Sequence, residues 1–433
     1  MHSFHYQKGR LCCESVPLED VASHYGTPVY VYSSHTIVDH YRRFDAALSE
    51  LDHAVCYALK SNPNLAVIGL LAEQGAGFDI VSGGELYRVL KGGGDSAKCT
   101  FAGVGKTREE IEFALRCGIF SFNVESEDEL ATIDAIAQSL NVRAPIAIRV
   151  NPDVAASTHK YISTGKSEHK FGIGLDRVDD IYATAGALKH IKLRGVQMHI
   201  GSQITESKPF RAAVTKMLPV VRRLKAEYGI EFFSIGGGIG IVYRGSLESG
   251  DEVWWRQEEQ KQALTIEEYA KAVVPPLKSL QLRILFEPGR FLVGNAGVLL
   301  TTVLYVKQTP TKTFLIVDAG MNDLIRPALY QGYHEVVPVN QSKNRPLIKA
   351  DVVGPVCESG DFFALDRELP EAKAGDVLAL MSAGAYGFAM ASNYNSRPLS
   401  AEVLVERDQH RTIRRRQNFA DLVELELTED RDG

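Results

Sequence analysis

The first candidate for chemistry is a lysine that ends an apolar run. The segment HAVCYALK, residues 53–60, is typical of a buried strand, and Lys60 is its last residue before Ser-Asn-Pro-Asn. A lysine at a strand end can simply extend its amine into water. Alternatively the amine is reactive, since lysine forms Schiff bases with carbonyl compounds. The residues that accompany Lys60 decide between these interpretations.

Polar residues or glycines also lie at the ends of other predicted strands. They are Asp79, Arg149, Asn151, His199, Gly201, Ser202, Gly236, Gly237, Gly238, Glu287, Gly289 and Arg290. In a parallel α/β barrel the carboxyl ends of the strands meet at one rim, where the active site lies. With Lys60, six of the eight predicted strands end in this way, which predicts a single site at that rim.

The glycine-rich segment GGGIG, residues 236–240, follows the seventh predicted strand. Barrels of this kind often bind phosphate with the loops after strands seven and eight, and glycines let backbone N–H groups approach phosphate oxygens. A plain glycine turn is the alternative interpretation. The hydroxyl of Ser202 could add a further contact to a phosphate.

A lysine, a phosphate-binding loop and an isolated acid, Glu287, together fit pyridoxal phosphate. The lysine forms a Schiff base with the aldehyde, and the acid keeps the ring nitrogen protonated, so that the ring accepts electrons. His199 could stack on the ring, or it could be an ordinary rim histidine. It has no histidine or aspartate partner at ligand spacing, so no metal site is predicted.

The surrounding elements predict an architecture that positions these residues. Short strands alternate with helices, which is typical of a parallel sheet. The predicted strands are 53–60, 78–81, 99–103, 120–124, 145–151, 193–201, 232–238 and 283–289, and the predicted helices include 107–116, 126–139, 207–228 and 265–279. Eight units favour a closed (β/α)8 barrel. The alternative, a doubly wound open sheet, needs a glycine-rich turn after the first strand, where the chain has LKSNPN.

The pattern changes after residue 290, where strands follow one another with few helices. The sequence therefore predicts a barrel domain over 31–290 and a β-rich domain formed by 1–30 with 291–433. The segment PVYVY near the N-terminus is expected to join the second domain. Residues 245–262 are predicted to be a polar insertion, and the basic segment 410–417 is predicted to be a solvated face.

Composition excludes several classes of protein. The 433-residue chain is 45% hydrophobic and 24% charged with a net charge of −6, which disfavours nucleic acid as a partner. It has no apolar run long enough to span a membrane and no signal-peptide core at its N-terminus. The six cysteines form no CxxC pair, which favours a reducing compartment and a cytoplasmic location. Cys12 and Cys13 suggest no role.

Six motifs, in this order along the chain, resemble the fold-type III pyridoxal-phosphate decarboxylases. They are YALKSN (57–62), HIGSQ (199–203), GGGIG (236–240), EPGR (287–290), VCESGD (356–361) and GAYG (384–387). The resemblance spans about residues 25–405 and is strongest to the branch that acts on diaminopimelate. It implies a barrel with a β domain, in agreement with the pattern of strands and helices.

The resemblance also implies a role for each matching residue. Around the cofactor, Lys60 would form the Schiff base, His199 would stack on the ring and Glu287 would face the ring nitrogen. Ser202, Gly237, Gly238 and Tyr386 would hold the phosphate, and Asp79, Gly289, Arg290 and Arg149 would complete or support the site. At the substrate, the contacts would come from Arg290, Arg326, Tyr330, Glu358 and Tyr386.

Cys357 would protonate the carbanion that remains after carbon dioxide leaves. Its alternative is a buried cysteine at a strand end, although GPVCESGD is an unusual context for a core. In the family, Cys357 and Glu358 reach the site from the partner subunit, which implies a homodimer with shared sites.

Arginine at the far end of the pocket favours one substrate. Arg290 and Arg326 are suited to a carboxylate, which ornithine and lysine lack at their distal end. We therefore expect decarboxylation of meso-diaminopimelate to L-lysine, the last step of bacterial lysine synthesis. Glu287 favours decarboxylation over racemisation, for which an arginine at the ring nitrogen is better suited. The alternative for Arg326 is a surface ion pair.

Two other functions stay open from the sequence. The first is decarboxylation of ornithine, arginine or carboxynorspermidine in the same fold. The second is a non-catalytic relative that only binds the cofactor. Loss of Lys60 or Cys357 would indicate the latter, and both residues are present.

Overall fold

The protein is described here by a computed structural model that places residues 1–154, 170–257, 263–342 and 344–426. It divides into two compact units. The sheet unit comprises Met1–Ile37, Val242–Lys261 and Val293–Gly433, and the barrel unit comprises Val38–Ile241 and Gln262–Leu292. The domain boundaries derived from the sequence, 31–290 against 1–30 with 291–433, stay a prediction.

Strands and helices alternate through most of the chain. The strands are β1 (Phe4–Gln7), β2 (Arg10–Cys13), β3 (Val16–Pro17), β4 (Val29–Ser33), β5 (His53–Ala58), β6 (Gly77–Ile80), β7 (Cys99–Phe101), β8 (Ser121–Val124), β9 (Ala144–Asn151), β10 (Ile173–Gly174), β11 (Ile191–Gln197), β12 (Phe232–Ser234), β13 (Arg283–Phe286), β14 (Gly297–Gln308), β15 (Thr313–Val317), β16 (Val336–Pro338), β17 (Leu347–Val353), β18 (Phe362–Pro370), β19 (Val377–Leu380), β20 (Ala401–Glu406) and β21 (Gln409–Arg414). The helices are α1 (Leu18–Tyr25), α2 (Ser34–Ala47), α3 (Leu65–Glu73), α4 (Gly83–Lys91), α5 (Arg108–Cys117), α6 (Glu127–Ser139), α7 (Val178–Ala187), α8 (Ser207–Tyr228), α9 (Ile266–Lys278), α10 (Arg290–Val293), α11 (Arg326–Tyr330) and α12 (Phe419–Val423).

The barrel unit contains a closed parallel sheet of eight strands. Their order is β5-β6-β7-β8-β9-β11-β12-β13, and β13 pairs with β5 to close the ring. The short strand β10 pairs with the end of β9. The predicted (β/α)8 barrel is therefore confirmed, and the open doubly wound sheet is excluded.

Six of the barrel strands end earlier than predicted. The first ends at Ala58, the second at Ile80, the third at Phe101, the sixth at Gln197, the seventh at Ser234 and the eighth at Phe286. Lys60 therefore lies in a 3₁₀ turn, Leu59–Ser61, and the prediction that it ends the strand is wrong. The reason is that an apolar pattern reports side-chain burial, whereas a strand ends where its backbone stops pairing with its neighbours.

Local capping explains where three of the predicted helices start. The side chains of Thr107, Ser126 and Thr265 each accept a hydrogen bond from the backbone N–H three residues later. Each is therefore an N-cap, and α5, α6 and α9 begin one residue after it. The fourth, α8, spans Ser207–Tyr228, in agreement with the predicted 207–228.

An apolar cluster fills part of the barrel interior. It consists of Cys56, Ala147, Phe232 and Leu285, which come from four different strands. Because side chains alternate along a strand, the residues two positions further on face the interior as well. Those residues are Arg149 on β9, Ser234 on β12 and Glu287 immediately after β13. The interior is therefore polar towards the carboxyl ends of these strands, where the predicted site lies.

The sheet unit is organised around the long strand β14. Its first half pairs with β4 and β19, and its second half pairs with β15. The strand order is β18-β17-β15-β14-β4-β20-β21. The N-terminal strand β4, within PVYVY, was expected only to join this domain, and it lies inside the sheet between β14 and β20. Val31 and Val298 are buried in the core of this unit.

The predicted insertion at 245–262 belongs to the sheet unit as far as the structure describes it, to residue 257. It is less polar in its packing than predicted, because Trp254 is buried and its ring lies edge-on to that of Trp255. The carboxylate of Glu335 accepts hydrogen bonds from the Ser246 hydroxyl and the Leu247 N–H, both at 2.9 Å. These contacts hold the segment against the sheet unit.

The basic segment 410–417 is partly used inside the sheet unit. Arg414 pairs with the buried carboxylate of Glu402 at 2.5 Å, and Arg416 donates to the carbonyl of Pro28 at 2.7 Å. The prediction of a solvated face is therefore only partly right. Over the described residues, no helix has the length and apolar character needed to cross a membrane. The cytoplasmic location stays a prediction.

Candidate active site at the barrel rim

Lys60 lies at the carboxyl end of β5, next to an acid on β6. Its Nζ is 2.6 Å from Oδ2 of Asp79. Asp79 lies near Lys60 because it pairs with Ala58 in the register of β5 and β6. The Asp79 side chain is only 1% exposed, whereas that of Lys60 is 39% exposed. A buried carboxylate thus holds an amine that a ligand can still reach.

Glu287 is buried immediately after β13, and two neighbouring strands hold its carboxylate. The Ser234 hydroxyl donates to Oε1 at 2.6 Å, and the Gln197 amide donates to Oε2 at 3.1 Å. Burial, and then the negative charge of Asp79, raise the pKa of Glu287 to about 7. Neither donor was predicted from the sequence. The alternation of side chains along a strand could have indicated them. Gln197 lies two residues before the predicted site residue His199, and Ser234 lies two residues before Gly236, so each faces the same side of its strand as a predicted site residue.

The His199 ring is placed as a neutral hydrogen-bond acceptor. The backbone N–H of Gly237 donates to its Nδ1 at 3.3 Å. Burial, and then the positive charges of Arg149 and Lys60, hold the pKa of His199 well below its usual range. A neutral imidazole can lie against an aromatic ring without bringing a second positive charge to the site.

The glycine-rich segment packs directly against the backbone of neighbouring loops. A Cβ on Gly237 would lie 2.1 Å from the carbonyl oxygen of Glu287, and a Cβ on Gly238 would lie 2.3 Å from that of Gly201. Gly238 also has a φ of +108°, which strains any other residue. Only glycine fits at these two positions, so no side chain covers the backbone N–H groups of this segment.

The next two predicted residues, Gly289 and Arg290, lie where β13 leads into α10. A Cβ on Gly289 would lie 3.1 Å from the Ser61 side chain, beside the Lys60 turn. Arg290 is buried, and its Nη2 donates to the hydroxyl of Ser202 at 3.2 Å. The structure thus joins the loops after β5, β11 and β13.

A buried acid supports Arg149 and was not predicted. Glu125, just after β8, accepts from Arg149 Nη1 at 2.9 Å and from the Gly103 N–H at 3.0 Å through the same oxygen. Its other oxygen accepts from the Gly172 N–H at 3.2 Å. One carboxylate therefore orients the cation that acts on His199.

These groups fit pyridoxal phosphate. Two buried oxygens in the barrel, Asp79 Oδ1 and Gln197 Oε1, have no hydrogen-bond partner among the residues that the structure describes. Buried acceptors are normally satisfied by a ligand or ordered water. Lys60 can react with the aldehyde, Glu287 can pair with the ring nitrogen, and the glycine backbone can bind the phosphate. Within the described ranges, no group of histidine, cysteine and acidic side chains is placed to hold a metal ion.

The other predicted residues lie in the sheet unit. Arg326 begins α11 and is buried, so the alternative of a surface ion pair is wrong. Its guanidinium lies over the Tyr243 ring at 4.7 Å, and its Nη1 is 2.8 Å from His334 Nε2. His334 Nδ1 must donate to the Met381 carbonyl at 2.8 Å, which leaves Nε2 as the acceptor. Tyr243 and His334 were not predicted from the sequence.

Cys357 and Glu358 form an exposed tip between β17 and β18. Cys357 is the exposed member of the six cysteines, so the alternative of a buried core cysteine is wrong. Glu358 accepts a hydrogen bond from the Tyr394 hydroxyl. Tyr330 ends α11, and Tyr386 has a φ of +56°, an unusual conformation for a tyrosine.

Glu287→Gln should change how stability depends on pH in the cofactor-free protein. The folded-state pKa of about 7 exceeds the usual 4.5, so between these values the folded state binds more protons than the unfolded state. The free energy of unfolding contributed by this group therefore falls as pH rises through that window. Urea denaturation at several pH values should show this fall in the wild-type protein and not in the variant. If the free energies of unfolding of the two proteins changed in parallel with pH, the assigned role of Glu287 in this pH dependence would be contradicted.

Comparison with known proteins identifies the family. The model of the pyridoxal-dependent decarboxylase family, pyridoxal binding domain, matches residues 34–294. The diaminopimelate decarboxylase of Pseudomonas aeruginosa is 48% identical over 98% of both chains.

Two crystal structures of diaminopimelate decarboxylases in complex with L-lysine are also similar. The one from Helicobacter pylori has a TM-score of 0.88 and 41% identity, with 94% of this chain and 99% of that one covered. The one from M. jannaschii has a TM-score of 0.90 and 36% identity, with 99% and 98% covered. The chain therefore belongs to the diaminopimelate decarboxylases, within the fold-type III pyridoxal-phosphate-dependent decarboxylases.

Proposed function

We propose that the chain decarboxylates meso-diaminopimelate to L-lysine and carbon dioxide with pyridoxal phosphate. The observation that carries the proposal is that one barrel rim holds both a reachable Lys60 amine, which contacts Asp79, and the buried side chain of Glu287, which accepts from Ser234. Bound pyridoxal phosphate supplies an electron-accepting ring for the bond that breaks. Membership of the family supports the choice of reaction and substrate.

The barrel residues bind and orient in this scheme. Lys60 is the covalent attachment point, and Asp79 holds its amine at the rim. Glu287 would pair with the ring nitrogen and favour a positive charge there, and Ser234 and Gln197 fix its two oxygens for this role. His199 would lie against the ring as a neutral imidazole. Gly237, Gly238 and Ser202, with Tyr386, would hold the phosphate.

A second set of residues recognises the substrate. Arg326, Arg290 and Tyr330 bind its distal carboxylate, and Glu358 binds its distal ammonium group. Arg326 is suited to this because its guanidinium is already oriented by His334 and Tyr243. Cys357 donates the proton that replaces the lost carboxylate. Its exposure supports this role, since an acid of this kind must reach the reacting carbon.

The active assembly in this proposal is a homodimer in which Cys357 and Glu358 serve the partner's cofactor. Support comes from the exposed position of both residues and from the family resemblance. Sedimentation velocity of the purified protein tests the assembly. A monomeric mass under conditions where the enzyme turns over would exclude shared sites.

The function is tested by carbon dioxide release from a panel of substrates. With pyridoxal phosphate present, we expect release from meso-diaminopimelate with lysine as product, and far less from L-ornithine, L-arginine or carboxynorspermidine. Release mainly from one of the latter three would keep the cofactor and overturn the roles of Arg326 and Glu358. No release from any substrate would favour a non-catalytic protein.

A further inference from the structure

The tip that carries Cys357 and Glu358 is a compact loop, residues 354–361. The Gly354 N–H donates to the Asp361 carbonyl at 3.1 Å, and the Asp361 N–H donates to the Glu358 carbonyl at 3.1 Å. The Glu358 N–H donates to the Val356 carbonyl at 2.8 Å. The loop is thus closed by its own backbone, and the Cys357 and Glu358 side chains lie at its exposed end.

The buried side chain of Asp361 fixes this loop through a hydrogen bond to its backbone. Asp361 is 3% exposed, and its Oδ2 accepts from the Val356 N–H at 2.6 Å, next to Cys357. A Cβ on Gly354 would lie only 2.4 Å from the same oxygen, so glycine is required there for the carboxylate to fit. The position of Cys357 along the loop therefore depends on this carboxylate.

The second oxygen of Asp361 reaches a different segment. Its Oδ1 accepts from the Met321 N–H at 2.6 Å. Met321 begins the turn that leads into α11, where the Gly320 N–H donates to Asp323 at 3.0 Å and the helix begins at Arg326. One carboxylate therefore bridges the segment that carries Cys357 and the segment that carries Arg326.

We propose that Asp361 is a positioning residue that fixes the Cys357–Glu358 tip by tying it to the Arg326 segment of the same chain, and so sets the placement of the proton donor that this chain supplies to the partner's site. The inference rests on the proposed function and deepens it. Asp361 touches neither substrate nor cofactor in this scheme. It acts through its hydrogen bonds with the backbone N–H groups of Val356 and Met321. Both segments stay in place only while each carboxylate oxygen accepts its hydrogen bond.

Asp361→Asn tests the proposal with little change in size. An amide nitrogen cannot accept, so one of the two backbone N–H groups loses its partner. We expect kcat to fall by about 10²-fold, the order of loss for a misplaced catalytic group, with a smaller change in KM. The rate at which iodoacetamide alkylates Cys357 should also change, as measured by mass spectrometry of the holoenzyme.

Asp351→Asn is the matched control. Asp351 is also 3% exposed and also uses both oxygens, which accept from the Asp366 N–H and from Lys312 Nζ, each at 2.6 Å. Its loss should lower the melting temperature to a similar degree but leave kcat and Cys357 alkylation near wild type. If both variants behave alike, Asp361 is only structural and the proposal fails.

A measurement on the wild-type holoenzyme covers the case in which Asp361→Asn does not fold. Hydrogen exchange should show strong protection of the Val356 and Met321 amides, and rapid exchange at both would overturn the proposal. The alkylation and exchange results do not depend on turnover. An inactive wild-type protein with protected amides would refute the proposed function and leave the bridge itself intact.

Discussion

Lys60→Ala should abolish turnover of meso-diaminopimelate. Lys60 Nζ, 2.6 Å from Asp79, is the amine at the barrel rim that can bind the cofactor covalently. Without it we expect kcat to fall by at least about 10⁴-fold, the order of loss when the nucleophile of a covalent enzyme is removed. The visible absorbance of the lysine-bound cofactor should also disappear, which a spectrum of the purified protein measures independently of activity.

Lys278→Ala is the matched control for this experiment. Lys278 also pairs with a carboxylate in the barrel unit, Glu50 at 2.9 Å, but its side chain is 61% exposed and far more solvated. Exposed pairs of this kind contribute about 0–1 kcal/mol to stability, so activity and spectrum should stay near wild type. Full activity in Lys60→Ala would show that the amine is not part of the reaction.

Arg326→Lys should weaken selection of the substrate's distal carboxylate. Lysine keeps the positive charge but not the planar fork, which in Arg326 is oriented by His334 at 2.8 Å and by the Tyr243 ring. Loss of one charge-assisted hydrogen bond, about 1.5–3 kcal/mol, should lower kcat/KM for meso-diaminopimelate by roughly 10–10²-fold. Turnover of L-ornithine, which has no distal carboxylate, should change much less, so the ratio of the two kcat/KM values is the measurement.

Arg345→Lys separates substrate recognition from stability. The guanidinium of Arg345 is occupied within the chain, because both of its terminal nitrogens donate to the carboxylate of Asp376. That substitution should lower the melting temperature without changing the ratio of kcat/KM values. An unchanged ratio in Arg326→Lys would assign recognition of the distal carboxylate to other residues.

The sequence alone was sufficient for the barrel. Alternating strands and helices predict a parallel sheet because strand and helix have different side-chain periods, and all eight predicted strands are present. The caps Thr107, Ser126 and Thr265 are equally local, since each bonds to a backbone group three residues away. Strand ends were predicted less well, and Lys60 was misplaced, because pairing stops where a neighbouring strand turns away.

The sequence by itself also determined the chemical character of the site, because reactive types such as Lys60, Glu287 and the glycines of 236–240 are recognisable without coordinates. Only the tertiary structure decided which groups support them. Gln197, Ser234, His334 and Asp361 are ordinary polar residues whose importance comes from partners that in most cases lie tens of residues away in the chain. Ser234 and Glu287, for example, are 53 positions apart and 2.6 Å apart in space. Such pairs form only when the barrel or sheet closes, so a local pattern can indicate which way a side chain faces but not which partner it will contact.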